Sequence, residues 1–341
     1  MNPILVDVYR GEHVESVHRG AICVMDENGQ EILSIGDVGK LVFPRSAIKI
    51  MQALPVIESG AATSLNLNDK QLSLICASHN GEVRHTEMAT SILKASGLTL
   101  RDLECGAHMP YDKHAEYALV KADTSPCALH NNCSGKHSGM LAYAKHAGMD
   151  TKGYIDLEHP VQIEIAKIMS DMTEFDLSTA PVAMDGCSLP TWAAPLSGWA
   201  TALAKISRGK GLGATRAAAF AKLQNAVMAE PFYVAGTGRY CTDIMTKLST
   251  PIFVKTGAEG IFCASLPEHG IGIALKCDDG ALKDPYGFSR GSEMMLSATL
   301  KKLGVLKDAD KEIIDDFNLL SLKNCNGHEI AKVMPSEYWA F

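Results

Sequence analysis

A serine and a lysine one helical turn apart are a minimal pair for acyl transfer, and the chain carries them as Ser46-Ala-Ile-Lys49. On a helix, residues i and i+3 share a face, so hydroxyl and amine lie side by side. A serine hydroxyl is a poor nucleophile until a base takes its proton. Lysine is such a base only when neutral, and burial or a nearby cation favours that form. Arg45 is adjacent and Lys255 is a second candidate cation. Ser-x-x-Lys alone is a common pattern that a surface helix also produces. Two more short motifs follow it: Ser78-His-Asn80, just past the apolar run Leu72, Leu74, Ile75, Cys76, and Lys255-Thr-Gly257, at the end of a β-type run.

A fourth cluster suggests different chemistry. In His130-Asn-Asn-Cys133-Ser-Gly-Lys136-His137-Ser-Gly139, Cys133 falls at an expected helix N-terminus, where a thiolate is favoured, and Lys136 is one turn on. Cys187 lies in Asp185-Gly-Cys187-Ser, a turn after a short strand. Two thiolates and a nitrogen can hold zinc with one position open, although lysine is a rare ligand and most buried cysteines are inert. Arg45 suits an α-carboxylate, through two parallel hydrogen bonds. Asp185 suits an α-ammonium group or a contact behind a metal ligand, and His137 is grouped with them as a substrate-binding candidate. A buried ion pair is the plainer reading of Arg45 and Asp185.

The surrounding elements must place these groups. Gly20 to Met25 and Glu31 to Ile35 flank Asp26-Glu-Asn-Gly29, a hairpin signal. A helix should begin at Ser46, with Ala47, Ile50, Met51 and Leu54 on one face. Others should run from Asn68, where Gln71 completes a capping box, from Glu82 to Ala95, from Cys133 to Gly148, from Pro160, and from Ala214 to Ala229. Pro251 to Lys255, Gly260 to Leu266 and Ile271 to Lys276 read as strands, and Ser292 to Leu303 as a helix closed by Gly304. Strands at both chain ends flanking a helical middle imply an α+β fold. It would be a single catalytic domain over 1–341, with a sheet lobe of about 1–45 plus 231–341 and a helical lobe of about 46–230.

The bulk numbers narrow the function. The 341 residues are 46% hydrophobic and 21% charged, ordinary for a globular protein able to bury a large core. A net charge of −7 without long charge runs disfavours nucleic acid or an anionic membrane as partner. The ten cysteines are irregularly spaced and read mainly as reduced core thiols. Asp7 and Arg10 interrupt any secretory apolar segment, and no uncharged stretch has membrane-spanning length. A reducing cytoplasm fits these features.

The order Ser-x-x-Lys, Ser-x-Asn, Lys-Thr-Gly resembles the motif set of the serine β-lactamase and penicillin-binding architecture, which acts through a covalent serine ester. The interval between the first two motifs is shorter than in a strict β-lactamase. Over nearly its whole length the chain more specifically resembles the Rhizobium etli-type asparaginases, the thermolabile or inducible class, which have that β-lactamase-like fold. The resemblance is carried by His18-Arg-Gly20, Arg45-Ser-Ala-Ile-Lys49, Cys76-Ala-Ser-His-Asn-Gly-Glu82, Asn132-Cys-Ser-Gly-Lys-His137, Asp185-Gly-Cys187, Val234-Ala-Gly-Thr-Gly-Arg239 and Lys255-Thr-Gly-Ala-Glu-Gly260. It implies hydrolysis of L-asparagine to L-aspartate and ammonia by a homodimer. It also implies two Ser–Lys pairs, Ser46 with Lys49 and Ser78 with Lys255, and a zinc on Cys133, Lys136 and Cys187. Ser188-Leu189 departs from the glycine and valine usual in that family. Two rival readings are a β-lactam-recognising acyl-serine hydrolase and a non-enzymatic metal-binding protein on the same fold.

Overall fold

The apolar runs at the two ends of the chain pair into one antiparallel sheet. The structure, a computed structural model, describes residues 1–280 and 290–340. The strands are β1 (Ile4–Arg10), β2 (His13–Asp26), β3 (Glu31–Ile35), β4 (Phe253–Thr256), β5 (Ile261–Leu266), β6 (Ile271–Cys277), β7 (Leu320–Lys323) and β8 (Glu329–Pro335). Their order is β7-β8-β1-β2-β6-β5-β4, with β3 also on β2. β2 changes partner midway: His13 to Arg19 pair with β1, and Gly20 to Asp26 pair with β6. The expected α+β class and the hairpin Gly20–Ile35 are found, as is Ser292–Leu303 with Gly304 at φ +63° as its left-handed cap. β7 and β8 were not foreseen, although Asn326-Gly327 is a turn signal between them and Gly327 has φ +81°.

Helices cover both faces of this sheet. A Cβ at Gly20 would lie 2.9 Å from Met295 Sδ, on the helix Ser292–Leu303. A Cβ at Gly272 would lie 2.0 Å from Ala204 N and 2.3 Å from Ala200 O, on the helix Leu196–Arg208. Gly272 pairs with Met25, an odd number of residues from Gly20, so the two helices lie on opposite faces. Burial from both sides explains why β5 is buried at every position instead of alternating.

The chain divides into two compact units. The sheet unit comprises Met1–Ala47, Ala194–Ser207 and Lys247–Phe341, and the helical unit comprises Ile48–Ala193 and Arg208–Thr246. The segment 196–207, placed by the sequence in the helical lobe, therefore goes with the sheet, because Gly272 lets that helix touch β6. The helix expected to start at Ser46 begins as a 3₁₀ turn over Arg45–Ile48, and α-helix follows only from Lys49 to Glu58. Arg45 has φ +49°, outside helical values, so the chain enters that turn through a left-handed residue.

In the helical unit, Asn68 and Gln71 form the reciprocal capping box at the start of the helix Asp69–Ile75. The helices Val83–Ala95, Pro160–Thr173 and Ala214–Ala229 match the expected segments. At the centre lies the helix Ser134–His146, buried all round from Ser134 to Ala144. It crosses Asp69–Ile75 at a distance only glycine permits. A Cβ at Gly135 would lie 2.2 Å from Leu74 O, and one at Gly139 would lie 2.6 Å from Ile75 Cγ2. These two glycines, one turn apart, set the start of the central helix against the loop that follows Ile75.

Gly135→Ala is expected to destabilise the fold by about 1–3 kcal/mol, since the methyl meets backbone that has little room to yield. Denaturant unfolding measures this, and an unchanged midpoint would contradict the close contact.

Candidate active site

The loop after Asp69–Ile75 carries Ser78 and is held on two sides. Ser78 N–H donates to Val234 O and Asn80 N–H to Ala235 O, both at 2.9 Å, and His79 N–H donates to Asn132 O at 3.1 Å. Arg239 donates to Asn80 Oδ1 at 2.9 Å and to Ser78 O at 3.3 Å. His79 ties this loop to the central helix, with Nε2 at 2.9 Å from Ser134 Oγ. Its Nδ1 accepts from Gly81 N–H at 3.0 Å, so the ring proton sits on Nε2. Burial, with smaller repulsion from His85 and Lys49, holds His79 well below the ordinary histidine range and keeps it neutral.

Around Ser78 the helical unit gathers two lysines and two cysteines. Lys49 Nζ contacts Ala77 O, Ser78 Oγ at 2.9 Å and Cys133 Sγ at 3.1 Å. Lys49 has no exposed surface. Burial lowers its pKa and the Lys136 cation adds to this, against the opposing pull of Cys133 and Cys187. A neutral amine has two hydrogens and one lone pair. It can donate to Ala77 O and the sulfur while accepting the Ser78 hydroxyl proton.

Lys136 has the opposite outcome. Burial again pulls its pKa down, but Cys187, Cys133 and Asp185 outweigh it and the amine stays charged, 3.2 Å from Cys187 Sγ. The hydrogen bond from Cys133 lowers Cys187 and raises Cys133, so the two thiols share one proton and Cys187 holds the negative charge. Two buried sulfurs in contact and one amine, contributed by the start of the central helix and the turn after Val182–Met184, are donors that fit zinc once the remaining protons leave.

His137 Nδ1 lies 2.7 Å from Tyr154 OH, which accepts from Glu104 N–H at 3.0 Å. The phenol therefore donates to Nδ1, and His137 carries its proton on Nε2. That atom is buried without a hydrogen-bond partner among the described residues. Burial holds this ring well below the ordinary range too. Asp185 is partly buried in a turn closed by Asp185 N–H to Leu189 O at 2.8 Å and Ser188 N–H to Asp185 O at 2.9 Å. Tyr154, His79 and Arg239 were not singled out by the sequence as site residues. The last two lie in quoted motifs, whereas nothing in the spacing marks Tyr154.

Arg45, Ser46 and Lys255 belong to the sheet unit. Lys255 is buried on β4, with Nζ 2.7 Å from Thr256 O. A Cβ at Gly257 would lie 2.7 Å from Pro44 O and 3.2 Å from Ala47 N. The end of β4 thus abuts the turn that carries Arg45 and Ser46. Ser46 itself is half-buried.

Ser188 has φ +70°, which explains the glycine usual at this position in the resembled family. Relief of left-handed strain is worth about 1–2 kcal/mol, against about 0.5–1 kcal/mol for glycine's extra unfolded-state freedom. Ser188→Gly is therefore expected to raise the unfolding midpoint slightly and leave turnover intact. A lower midpoint would mean that the serine side chain makes a stabilising contact.

Among solved structures the chain is similar to a β-lactamase from Mycobacterium bovis, at 12% identity and TM-score 0.41, over 83% of this chain and 94% of that one. It is also similar to Mglu in its native form, at 11% identity and TM-score 0.39, over 84% and 65%. A D-alanine carboxypeptidase from Burkholderia cenocepacia matches at 11% identity and TM-score 0.38, over 76% and 88%. No curated protein sequence matches significantly. The pattern of the family described as L-asparaginase II matches residues 6–335, nearly the whole chain, and the chain belongs to that family.

Proposed function

We propose that this L-asparaginase works through a serine acyl-enzyme with Lys49 as its base. The observation that carries the proposal is the fully buried Lys49 amine, its pKa lowered by burial, hydrogen-bonded to a serine hydroxyl. The pairing of Ser46 with Lys49 rests on the Ser-x-x-Lys spacing and on the family. Ser46 Oγ attacks the side-chain amide carbon of L-asparagine while Lys49 Nζ takes its proton. The tetrahedral intermediate collapses as that proton passes through Ser78 Oγ to the leaving nitrogen, and ammonia departs. Water then attacks the aspartyl ester, the same groups returning the proton to Ser46, and L-aspartate is released. A preformed environment for the developing oxyanion lowers the barrier because its dipoles need not reorganise.

The α-groups of the amino acid need their own partners. Arg45 suits the α-carboxylate and Asp185 the α-ammonium group. His137 offers a buried Nε2–H donor whose direction Tyr154 fixes. Cys133, Lys136 and Cys187 would hold zinc, which when bound supplies positive charge that polarises or orients a substrate oxygen. The ten reduced cysteines support a reducing, cytoplasmic setting. No helix among the described residues is long and apolar enough to cross a membrane. A homodimer is proposed on the resemblance alone, and sedimentation of the purified protein tests it.

A second reading makes Ser78 the nucleophile, favoured by its 2.9 Å contact with Lys49 Nζ. Rapid quenching during asparagine turnover and mapping of the aspartyl-modified peptide separate the two. Modification at Ser46, with ammonia release cut by more than about a thousandfold in Ser46→Ala, supports the first reading. Modification at Ser78 with Ser46→Ala active would transfer the role. Ser78→Ala should slow turnover, and full activity in that variant would remove the relay.

Zinc depletion is expected to lower kcat/KM for asparagine and zinc return to restore it, with Cys187→Ala failing to recover. Unchanged kcat and KM after verified depletion would confine the metal to a structural role.

A further inference from the structure

The sheet unit holds a second group of metal-type donors that the reaction does not use. His18 lies on β2, Cys277 ends β6, and Asp279 follows two residues later. His18 Nδ1 is 2.5 Å from Asp279 Oδ2, and Cys277 Sγ is 3.1 Å from Asp279 Oδ1. One donor atom from each residue lies within 4.8 Å of the others. His18 and Cys277 are buried, whereas the Asp279 side chain is 43% exposed, so the group has a route to solvent.

The backbone builds this position firmly. Cys277 pairs with Gly20 in the β2–β6 ladder, and its N–H donates to Gly260 O at 2.9 Å. Asp278 N–H donates to Arg19 O at 2.8 Å, which carries the turn back over β2. Gly291 forms a wall. A Cβ there would lie 2.7 Å from Cys277 Sγ and 3.0 Å from His18 Cγ. The other ring nitrogen of His18, Nε2, is buried and has no hydrogen-bond partner among the described residues. Few buried polar atoms in native proteins are left in that state, so its only polar fixing comes from the Nδ1 side.

We propose that His18, Cys277 and Asp279 form a zinc site, with a fourth position open to solvent. An imidazole nitrogen, a thiolate and a carboxylate are all zinc ligands, while magnesium and calcium prefer oxygen alone. Three protein ligands and one open position make a complete tetrahedral site. Thiolate and carboxylate together carry two negative charges, which a divalent cation neutralises. Without metal, both the thiol and the ring N–H point at the same carboxylate. On binding, the thiol proton goes to solvent, the ring proton is exchanged from Nδ1 to Nε2, and His18 Nδ1, Cys277 Sγ and one Asp279 oxygen become ligands. The ion would clip the end of the β2–β6 ladder to the turn beyond it.

The test uses the full chain, stripped of metal and titrated with zinc, then with cobalt as a spectroscopic substitute. The parent should bind one more zinc equivalent than Cys277→Ala or Asp279→Asn. This difference does not depend on whether Cys133, Lys136 and Cys187 bind metal. Cys187→Ala should retain a cobalt–thiolate absorption band that vanishes in the Cys187→Ala/Cys277→Ala double variant. Asp279 is exposed enough that its asparagine variant should fold and turn over asparagine normally, which keeps the test valid if Cys277→Ala does not fold. Equal zinc content in the parent and a folded Asp279→Asn, with no cobalt–thiolate band in Cys187→Ala, would overturn the site.

Discussion

A lysine amine sealed away from water must give up its charge or find an anion, because an isolated buried ammonium is too costly to keep. The helical unit applies both solutions side by side. Lys49 faces a carbonyl, a hydroxyl and a protonated thiol, and burial lowers its pKa. Lys136 faces the Cys187 sulfur, which the Cys133 hydrogen bond makes the anionic member of the thiol pair. The two lysines therefore diverge: burial and the neighbouring Lys136 cation lower the Lys49 pKa against the pull of the cysteines, whereas the same sulfurs keep Lys136 charged. Cys187 and Cys133 supply the negative charge that outweighs burial at Lys136.

This arrangement needs the Ser78 loop and the central helix to meet within hydrogen-bond range, and several weak constraints combine to achieve it. Gly135 and Gly139 let the helices touch. His79, uncharged and with both nitrogens used, spans from the residue after Ser78 to the residue after Cys133. Arg239 holds the carbonyl of Ser78 from another segment. None of these groups is a nucleophile or base, yet each controls the distance between Lys49 and the serine. In the sheet unit Gly257 has a comparable effect, bringing the end of β4 against the strained turn at Arg45 and Ser46. Backbone strain of this kind persists only where the surrounding structure over-determines it.

The elements that local chemistry governs were legible in the sequence. The Asn68–Gln71 capping box, Pro160 opening a helix and Gly304 closing one all act over a few residues. The elements that were missed depend on distant partners. The helix Leu196–Arg208 is assigned to the sheet by its contact with Gly272, and β7 and β8 find their places only by pairing with each other and with β1. Near Ser46 the helical turn begins as expected, but α-helix follows only from Lys49, after Arg45 takes a left-handed conformation that no propensity predicts for arginine.

The sequence by itself determined the chemical vocabulary: the Ser-x-x-Lys spacing, the cysteine and lysine one turn apart at a helix start, the strand-ending Lys255-Thr-Gly257, and the family to which these belong. Spacing along a chain reports which residues share a turn, because helical geometry is local. Tertiary structure alone decided which partner each group meets. Ser78 is 29 positions from Lys49, Cys133 is 84 from Lys49, and Cys187 is 51 from Lys136. Burial and the charge of those neighbours set the protonation states. Both depend on how the chain packs, so no short segment contains them.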